Sequence, residues 1–194
     1  MKLTPFLVAR SQLLTAVELF FADRDPISVQ ALAGSAREML ESLCRIEGVE
    51  PMMEMLLRDH PTKTLKELYR AANLYRNCFK HVGKTESERA GDQATLDQFE
   101  ERTNEFLLYV CVEDYVRLRK AMPVPFQIFQ AWFCALHSDL LTSNHDPDRF
   151  LKNFPDIMQK SRAEQKRMGA NMIAIWSNDH DLLADPRTEP SELG

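Results

Sequence analysis

Arg76, Asn77 and His81 place a guanidinium, an amide and an imidazole within one short stretch of the chain. An imidazole titrates near neutral pH, so it can both accept and donate protons during a reaction. A guanidinium binds phosphate through two parallel hydrogen bonds and stabilises negative charge that builds up on it. These three side chains are therefore the first candidates for chemistry.

The stretch lies near the end of a predicted amphipathic helix over residues 63–82. At about 100° per residue, Arg76 lies about 140° from His81 around the helix, so one chain cannot easily bring both into a small site. Polar side chains within an arc of about 80° form a separate face: Arg70, Asn73, Asn77, His81 and Lys84. A solvated face of an ordinary amphipathic helix would give the same pattern.

The charge around this helix contrasts with that of the whole chain. Between Arg58 and Lys84, seven basic and two acidic side chains leave a local formal charge of +5, whereas the chain carries −5. A local basic surface of this kind can bind an anionic backbone, although such clusters are also common on solvated helices.

The preceding chain predicts a helical hairpin that would support this helix. Its two helices cover residues 11–21 and 26–46. Asp25 is a suitable N-cap, Pro26 fits the first helical position and Gly48 can end the second helix. A short methionine-rich helix over 52–58 follows.

The rest of the chain also predicts helices, so the expected fold class is an all-α antiparallel bundle. A charged loop is predicted over 84–92, and helices over 92–120, 126–140, 148–160 and 162–176. We expect a bundle over residues 1–122, a helical extension over 123–182 packed on the same core, and a disordered tail over 183–194, where Asp, Glu, Pro and Ser predominate.

Composition excludes several classes of protein. Only 6 glycines occur, and none forms a phosphate-binding loop. The four cysteines are widely spaced, which indicates reduced core residues. Histidines and carboxylates between 137 and 148 are explained by helix capping, so no metal site and no cofactor are predicted. Without a signal peptide or a run of about 20 apolar residues, the prediction is a cytoplasmic protein with no membrane segment.

The order of Arg76, Asn77 and His81, with four residues between the arginine and the histidine, resembles the signature of the HEPN superfamily. The hairpin followed by a helix that carries the motif is also similar to that superfamily. The resemblance covers roughly residues 10–120, and the chain after Pro123 has no counterpart in it.

The resemblance implies a homodimer in which two motifs face each other. Many such proteins are metal-independent endoribonucleases of toxin–antitoxin, phage-defence or RNA-processing systems. It implies that His81 transfers protons, Arg76 binds phosphate, Asn77 orients either, and Glu38 is a supporting carboxylate. RNA would be held by cations and an amide on this helix or just after it, namely Arg70, Asn73, Lys80 and Lys84.

Two alternatives remain open. Some members of the superfamily have lost catalysis, so the same helices could form an interaction module that binds a protein partner, such as an antitoxin, or a nucleotide. A purely structural subunit of a larger assembly, docked through its aromatic C-terminal helix, would also fit the sequence.

Overall fold

The chain is all-α, as the sequence predicts. The computed structural model describes residues 2–59, 64–138 and 147–190. Its α-helices, in chain order, are α1 (Pro5–Phe21), α2 (Pro26–Ile46), α3 (Met52–Asp59), α4 (Leu65–Lys80), α5 (Glu86–Leu96), α6 (Thr103–Arg119), α7 (Val124–Leu136), α8 (Pro147–Leu151), α9 (Arg162–Trp176) and α10 (His180–Ala184). Two short strands, β1 (Met122–Pro123) and β2 (Thr188–Glu189), pair in parallel.

The predicted hairpin is present as α1 and α2. Asp25 caps α2, because its carboxylate oxygens accept hydrogen bonds from the backbone N–H groups of Ile27 and Ser28, both at 3.1 Å. The expected start of α1 at residue 11 is wrong. Thr4 caps the helix through a 3.2 Å bond from the N–H of Leu7, and α1 begins at Pro5.

Helix α6 packs along α2 in the same direction. The amide of Asn104 donates to the carbonyl of Pro26 at 2.9 Å, and the thiol of Cys111 lies 3.4 Å from the carbonyl of Ala33. Early residues of α6 therefore meet early residues of α2, which fixes the two helices as parallel neighbours.

Aromatic side chains join the hairpin to the C-terminal helices. Trp132 of α7 packs edge-on against Phe20 and Phe21 of α1, with ring centroids 5.3 and 5.6 Å apart. Its indole N–H donates to the carbonyl of Gln165 in α9 at 2.7 Å. One buried cluster thus contains residues from both sides of Pro123. The division into segments 1–122 and 123–182 stays a prediction.

The long helix predicted over 92–120 is wrong, and so is the loop predicted over 84–92. A capping box, in which Thr85 and Glu88 each bond the other's backbone N–H, begins α5 inside the predicted loop. The helix ends at Leu96 because Phe99 turns away to pack on Tyr75 and Phe79, at centroid distances of 5.0 and 5.1 Å. A new helix, α6, begins at Thr103.

The predicted helix over 148–160 is also interrupted. Only α8 and a 3-10 helix at Ile157–Gln159 are helical there, because Asp156 adopts a left-handed conformation at φ 55° between them. Helix α7 ends at Leu136, and residues 139–140 of its predicted span lie outside the described residues. The predicted helix over 162–176 matches α9.

The structure differs from the predicted disordered tail over residues 183–190. Strand β2 pairs with β1, so that Thr188 lies opposite Met122. Glu189 accepts a hydrogen bond from the buried hydroxyl of Tyr115 and pairs with Arg119 at 3.2 Å. The buried Tyr115 hydroxyl and the Arg119 side chain therefore hold this segment against the core. Residues 191–194 lie outside the described residues.

Candidate functional site on helix α4

Helix α4 is shorter than predicted, and this changes the position of His81. The helix begins with a capping box between Thr64 and Glu67, and its last residue is Lys80. His81 is the C-cap residue and has an extended backbone, with φ −131° and ψ 149°. His81 and Lys84 therefore lie beyond the helix and not on the polar face where the helical wheel placed them. Residue 63 of the predicted span lies outside the described residues.

Arg76 binds Glu38 of α2. Its two terminal nitrogens each contact a different carboxylate oxygen at 2.6 Å. The Arg76 side chain is only 16% exposed, whereas Glu38 is 43% exposed. The stem of Arg76 crosses α2 at Gly34, where a Cβ atom would lie 2.7 Å from Arg76 Cδ. The missing side chain at Gly34 thus allows the arginine to reach its partner.

Asn73 also faces α2, in contrast to its predicted place on the substrate-binding face. Its side-chain oxygen accepts a 2.8 Å hydrogen bond from Arg37, which is 2% exposed. The other terminal nitrogen of Arg37 donates to Glu41 at 2.5 Å. Asn73 therefore positions a buried arginine, and it is half-buried and not fully exposed as the sequence suggests.

Tyr69 extends this set of contacts towards α3. Its hydroxyl donates to Glu41 and accepts from Arg45 at 2.6 Å, and Arg45 also pairs with Glu54 at 2.9 Å. Burial, together with the hydrogen bond to Glu41, raises the pKa of Tyr69 to about 12. The phenol therefore stays protonated and acts as a hydrogen-bond donor near neutral pH.

We call the linked side chains of α2 and α4 the α2–α4 polar network, which comprises Arg37, Glu38, Glu41, Tyr69, Asn73 and Arg76. The sequence predicts a functional role for Glu38, Asn73 and Arg76 but not for Arg37, Glu41 and Tyr69. Arg37 and Glu41 are four residues apart on α2, a spacing that allows an ion pair within one helix. This spacing could have indicated the ion pair from the sequence, but it does not show that the pair is buried.

The remaining predicted site residues face solvent. Arg70, Asn77 and Lys80 are exposed on α4, and His81 and Lys84 are exposed just beyond it. Two apolar side chains accompany them, since Leu74 is 39% and Val82 is 81% exposed. We call this region the α4 surface: Arg70, Leu74, Asn77, Lys80, His81, Val82 and Lys84. It combines cations, an exposed imidazole and apolar groups, a mixture suited to binding an anionic polymer or a second protein surface.

The structure therefore divides the predicted site into two parts. Arg76, Glu38 and Asn73 meet between the helices, whereas Asn77 and His81 lie on the α4 surface. Orientation of His81 by Asn77, four residues earlier, would depend on continuous helix through both residues, and the extended backbone at His81 removes that geometry. What a single chain offers is an oriented guanidinium at the side of α4 and an accessible imidazole at its end.

In the described ranges, no group of three or more His, Cys, Asp or Glu side chains is arranged to hold a metal ion. Residues 139–146, which contain some of the weaker metal-ligating candidates, lie outside those ranges. His137, at the end of α7, lies 2.9 Å from the buried Glu105, an arrangement that fixes the end of α7 against α6. Nor is any described helix both long and apolar enough to cross a bilayer.

Comparisons with protein-family models, with curated proteins and with solved structures found no match.

Proposed function

We propose that the chain is a HEPN-like, metal-independent endoribonuclease that acts as a homodimer. The observation that carries the proposal is the arrangement at α4. Glu38 holds Arg76 in one orientation through two 2.6 Å bonds, while His81 is exposed at the end of the same helix. A fixed phosphate-binding group and an accessible proton carrier are two parts that this chemistry requires.

In the proposed reaction, the 2′-hydroxyl oxygen of a ribose attacks the neighbouring phosphorus atom. His81 accepts the hydroxyl proton, and the bond from phosphorus to the 5′-oxygen breaks. The protonated imidazole then donates its proton to the leaving 5′-oxygen, so it ends in its starting state. The products are a 2′,3′-cyclic phosphate and a free 5′-hydroxyl. Arg76 stabilises charge on the phosphate oxygens with the N–H groups that Glu38 does not use.

A dimer brings the two groups together. Arg76 is bound to Glu38 between α4 and α2, whereas His81 is exposed beyond the end of α4, so we propose that the joint site forms between two subunits. Leu74 on α4 and Val82, which follows His81 in the sequence, expose apolar surface, and this supports contact between two copies through these two side chains. In that arrangement Arg76 of one subunit would act with the partner subunit's His81, and Arg70, Lys80 and Lys84 would hold the RNA backbone.

The first experiment measures cleavage of single-stranded RNA in the presence of EDTA. We expect products with 2′,3′-cyclic phosphate ends, and a rate lowered roughly 100-fold or more by His81→Ala. His180→Ala is the matched control, since His180 is also exposed but lies on α10. Cleavage by His81→Ala at the wild-type rate, with both variants melting at the wild-type temperature, would refute the assignment.

A second experiment tests the shared site by mixing two inactive variants, Arg76→Ala and His81→Ala. Random pairing makes half of the dimers mixed, and each mixed dimer has one site with both groups intact. Activity should return to roughly a quarter of the wild-type value if the site spans two subunits. No recovery in a mixture that is shown to exchange subunits would place both groups within one chain.

The second candidate function is a non-catalytic interaction module that binds a protein partner. The ion pair between Arg76 and Glu38 favours this candidate, because the carboxylate neutralises the guanidinium charge that would otherwise bind a phosphate. Glu38→Gln distinguishes the two. A nuclease should lose activity when the orienting carboxylate is removed, whereas a module should bind its partner through the α4 surface unchanged.

A further inference from the structure

A cavity of about 320 Å³ lies between the end of α6 and the elements that follow it. Volumes of about 300–1,000 Å³ are typical of sites for small molecules, so this cavity fits a compact ligand. Its lining comes from α6, β1, α7, α8, α9, α10 and the segment that carries β2. The cavity therefore lies mostly in the chain after Pro123, which has no counterpart in the HEPN resemblance, and α4 takes no part in it.

The charge of this cavity is positive. Lys120 at the end of α6 and Arg149 of α8 both line it, and among the described residues neither side chain has an ion pair or a hydrogen bond. The carboxylate in the described lining, Asp185, is already bound by Arg187 through contacts of 2.7 and 3.0 Å. Two cations thus remain without a counter-ion there, in a chain whose formal charge is −5. Clefts lined by one sign of charge attract ligands of the opposite sign, so the ligand is an anion.

Aromatic rings form part of the same lining. Phe150 of α8 and Trp176 of α9 are half-buried and line the cavity. Apolar side chains of α6, α7 and α10 line it too, namely Val116, Ala131 and Leu182. Both rings also pack on the hydrophobic core, which limits how far they can move. Aromatic side chains gain offset-stacked or edge-to-face contacts from a flat partner, so an aromatic ligand suits this cavity better than a flexible aliphatic one.

Two glutamine amides of α7 supply hydrogen-bond acceptors to this cavity. Gln127 Nε2 donates to the carbonyl of Met122 at 3.0 Å and to the hydroxyl of Thr188 at 2.9 Å. Gln130 Nε2 donates to Glu113 at 2.6 Å. The two carbonyl oxygens are accessible, since among the described residues neither has a partner and neither belongs to the buried atoms that lack one. Both amides can therefore accept a hydrogen bond from an N–H group of a ligand.

We infer that this cavity binds a small aromatic carboxylate whose ring carries an N–H group. The carboxylate pairs with Lys120 and with Arg149, whose planar guanidinium matches its two oxygens. The ring packs on Phe150 and Trp176 and donates its N–H to a glutamine carbonyl oxygen. A carboxylate is favoured over a bulkier phosphate ester because the volume is close to the lower limit for small-molecule sites. Binding here does not depend on whether the chain cleaves RNA, because the α4 surface takes no part.

The probe for this site is indole-3-acetate, with three analogues that each lack one feature. 1-Methylindole-3-acetate lacks the N–H, 3-methylindole lacks the carboxylate, and acetate lacks the ring. Isothermal titration calorimetry on the whole chain, at fixed ionic strength, should show saturable binding of indole-3-acetate. The two indole analogues should each bind at least about tenfold more weakly, as expected for the loss of one hydrogen bond or ion pair. Acetate should show no saturable binding over the same concentration range.

Variants of exposed cations separate the cavity from general surface charge. Arg149→Gln should weaken binding of indole-3-acetate about tenfold and leave the affinity for 3-methylindole unchanged, because only the carboxylate pairs with the guanidinium. Lys120→Asn should have the same effect, and asparagine is chosen because it tolerates the left-handed backbone of Lys120 at φ 61°. Lys152→Gln is the matched control, since Lys152 is exposed but does not line the cavity, and it should bind both probes as the wild type does.

The inference is overturned if the wild type shows no saturable binding of indole-3-acetate. It is also overturned if Arg149→Gln and Lys120→Asn, both melting at the wild-type temperature, bind the probe as tightly as the wild type does. Equal affinities for indole-3-acetate and its N-methyl analogue would refute the hydrogen bond on which the inference relies. Equal losses in Arg149→Gln and Lys152→Gln would show a general effect of charge and no site in the cavity.

Discussion

Arg76 and Glu38 join α4 to α2 through two hydrogen bonds of 2.6 Å, directly over the surface of Gly34. The carboxylate is 43% exposed, so water weakens the pair without abolishing it. The pair fixes the orientation of the arginine more than it stabilises the fold. Its energy is nevertheless measurable.

A double-mutant cycle with Arg76→Ala and Glu38→Gln should give a coupling energy of about 1 kcal/mol, because the contact is bidentate and half-buried. Urea unfolding of the four proteins measures it. Arg58 and Glu50 provide a control pair, since their single 3.0 Å contact is 62% and 43% exposed. That pair should couple by less than about 0.5 kcal/mol, and equal values for both pairs would contradict the special role of Arg76.

In an exposed helix interior, replacing glycine with alanine raises the free energy of unfolding by about 1 kcal/mol. Gly34→Ala should not produce this increase. The added methyl group would lie 2.7 Å from Arg76 Cδ, so the arginine must move away from Glu38. The same substitution in an Arg76→Ala background should recover the gain. Gly91→Ala in α5 is the matched control, because nothing lies within 4 Å of its added Cβ. It should stabilise the protein in either background, as measured by thermal and urea unfolding.

Asp114 should make the protein less stable as the pH rises. Its side chain is completely buried, and this burial raises its pKa to about 6 despite a 2.7 Å hydrogen bond from the N–H of Met52. The unfolded chain has a value near 3.9, so between about pH 4 and pH 6 the folded state binds more protons than the unfolded state. The contribution of Asp114 is therefore fully favourable below about pH 4 and is lost as the pH passes through 6.

Asp114→Asn isolates this effect. The difference in unfolding free energy between the variant and the wild type should rise by roughly 3 kcal/mol from pH 4 to pH 7, at 1.36 kcal/mol per pKa unit. Asp25→Asn should show the opposite slope, and should show it below about pH 4, because hydrogen bonds from Ser28 and Ile27 lower the pKa of Asp25 beneath its unfolded value. A pH-independent difference for Asp114→Asn would show that the buried carboxyl titrates normally.

Glu189→Ala should destabilise the protein by about 2 kcal/mol, because it removes a charged partner from the buried Tyr115 hydroxyl and from Arg10. Arg10 is 4% exposed and lies 3.7 Å from Glu189. Glu189→Gln keeps the hydrogen-bond acceptor and should therefore lower the free energy of unfolding by less than Glu189→Ala does. Glu18→Ala, at an exposed position on α1, is the control and should change stability by less than about 0.5 kcal/mol. A Glu189→Ala variant as stable as the control would mean that β2 contributes nothing to the core.

Local signals predicted those parts of the fold that depend on local chemistry. The Asp25–Pro26 start of α2 follows from capping and proline geometry alone. The end of α5 does not, because it depends on Phe99 packing against Tyr75 and Phe79, and no proline marks the break. The described part of the predicted tail, residues 183–190, differs from the prediction for a related reason. Its composition is typical of disorder, but Glu189 is required by a buried arginine that lies 179 residues earlier in the chain.

In the candidate site, too, features set by local geometry could be predicted from the sequence, whereas features set by contacts between helices could not. The helical wheel correctly separates Arg76 from the face that carries Arg70 and Asn77, since that separation is a property of the helix. It cannot show that Arg76 and Asn73 would meet Glu38 and Arg37, because those contacts depend on how α2 and α4 cross. To place His81 correctly, one must know the residue at which α4 ends. Helix ends are the least certain feature of a sequence-based prediction.

The pairing of β2 with β1 also affects the order in which the chain can fold on a ribosome. Arg10 donates a hydrogen bond to the carbonyl of Pro190 and pairs with Glu189. This residue of the first helix therefore cannot form its hydrogen bond to Pro190 until a further 180 residues have been synthesised. At roughly 5–20 residues per second, that delay is on the order of 10–40 seconds. During that time Arg10 remains partly hydrated, as does Tyr115 once it has been synthesised, and the surface on which β2 docks stays uncovered.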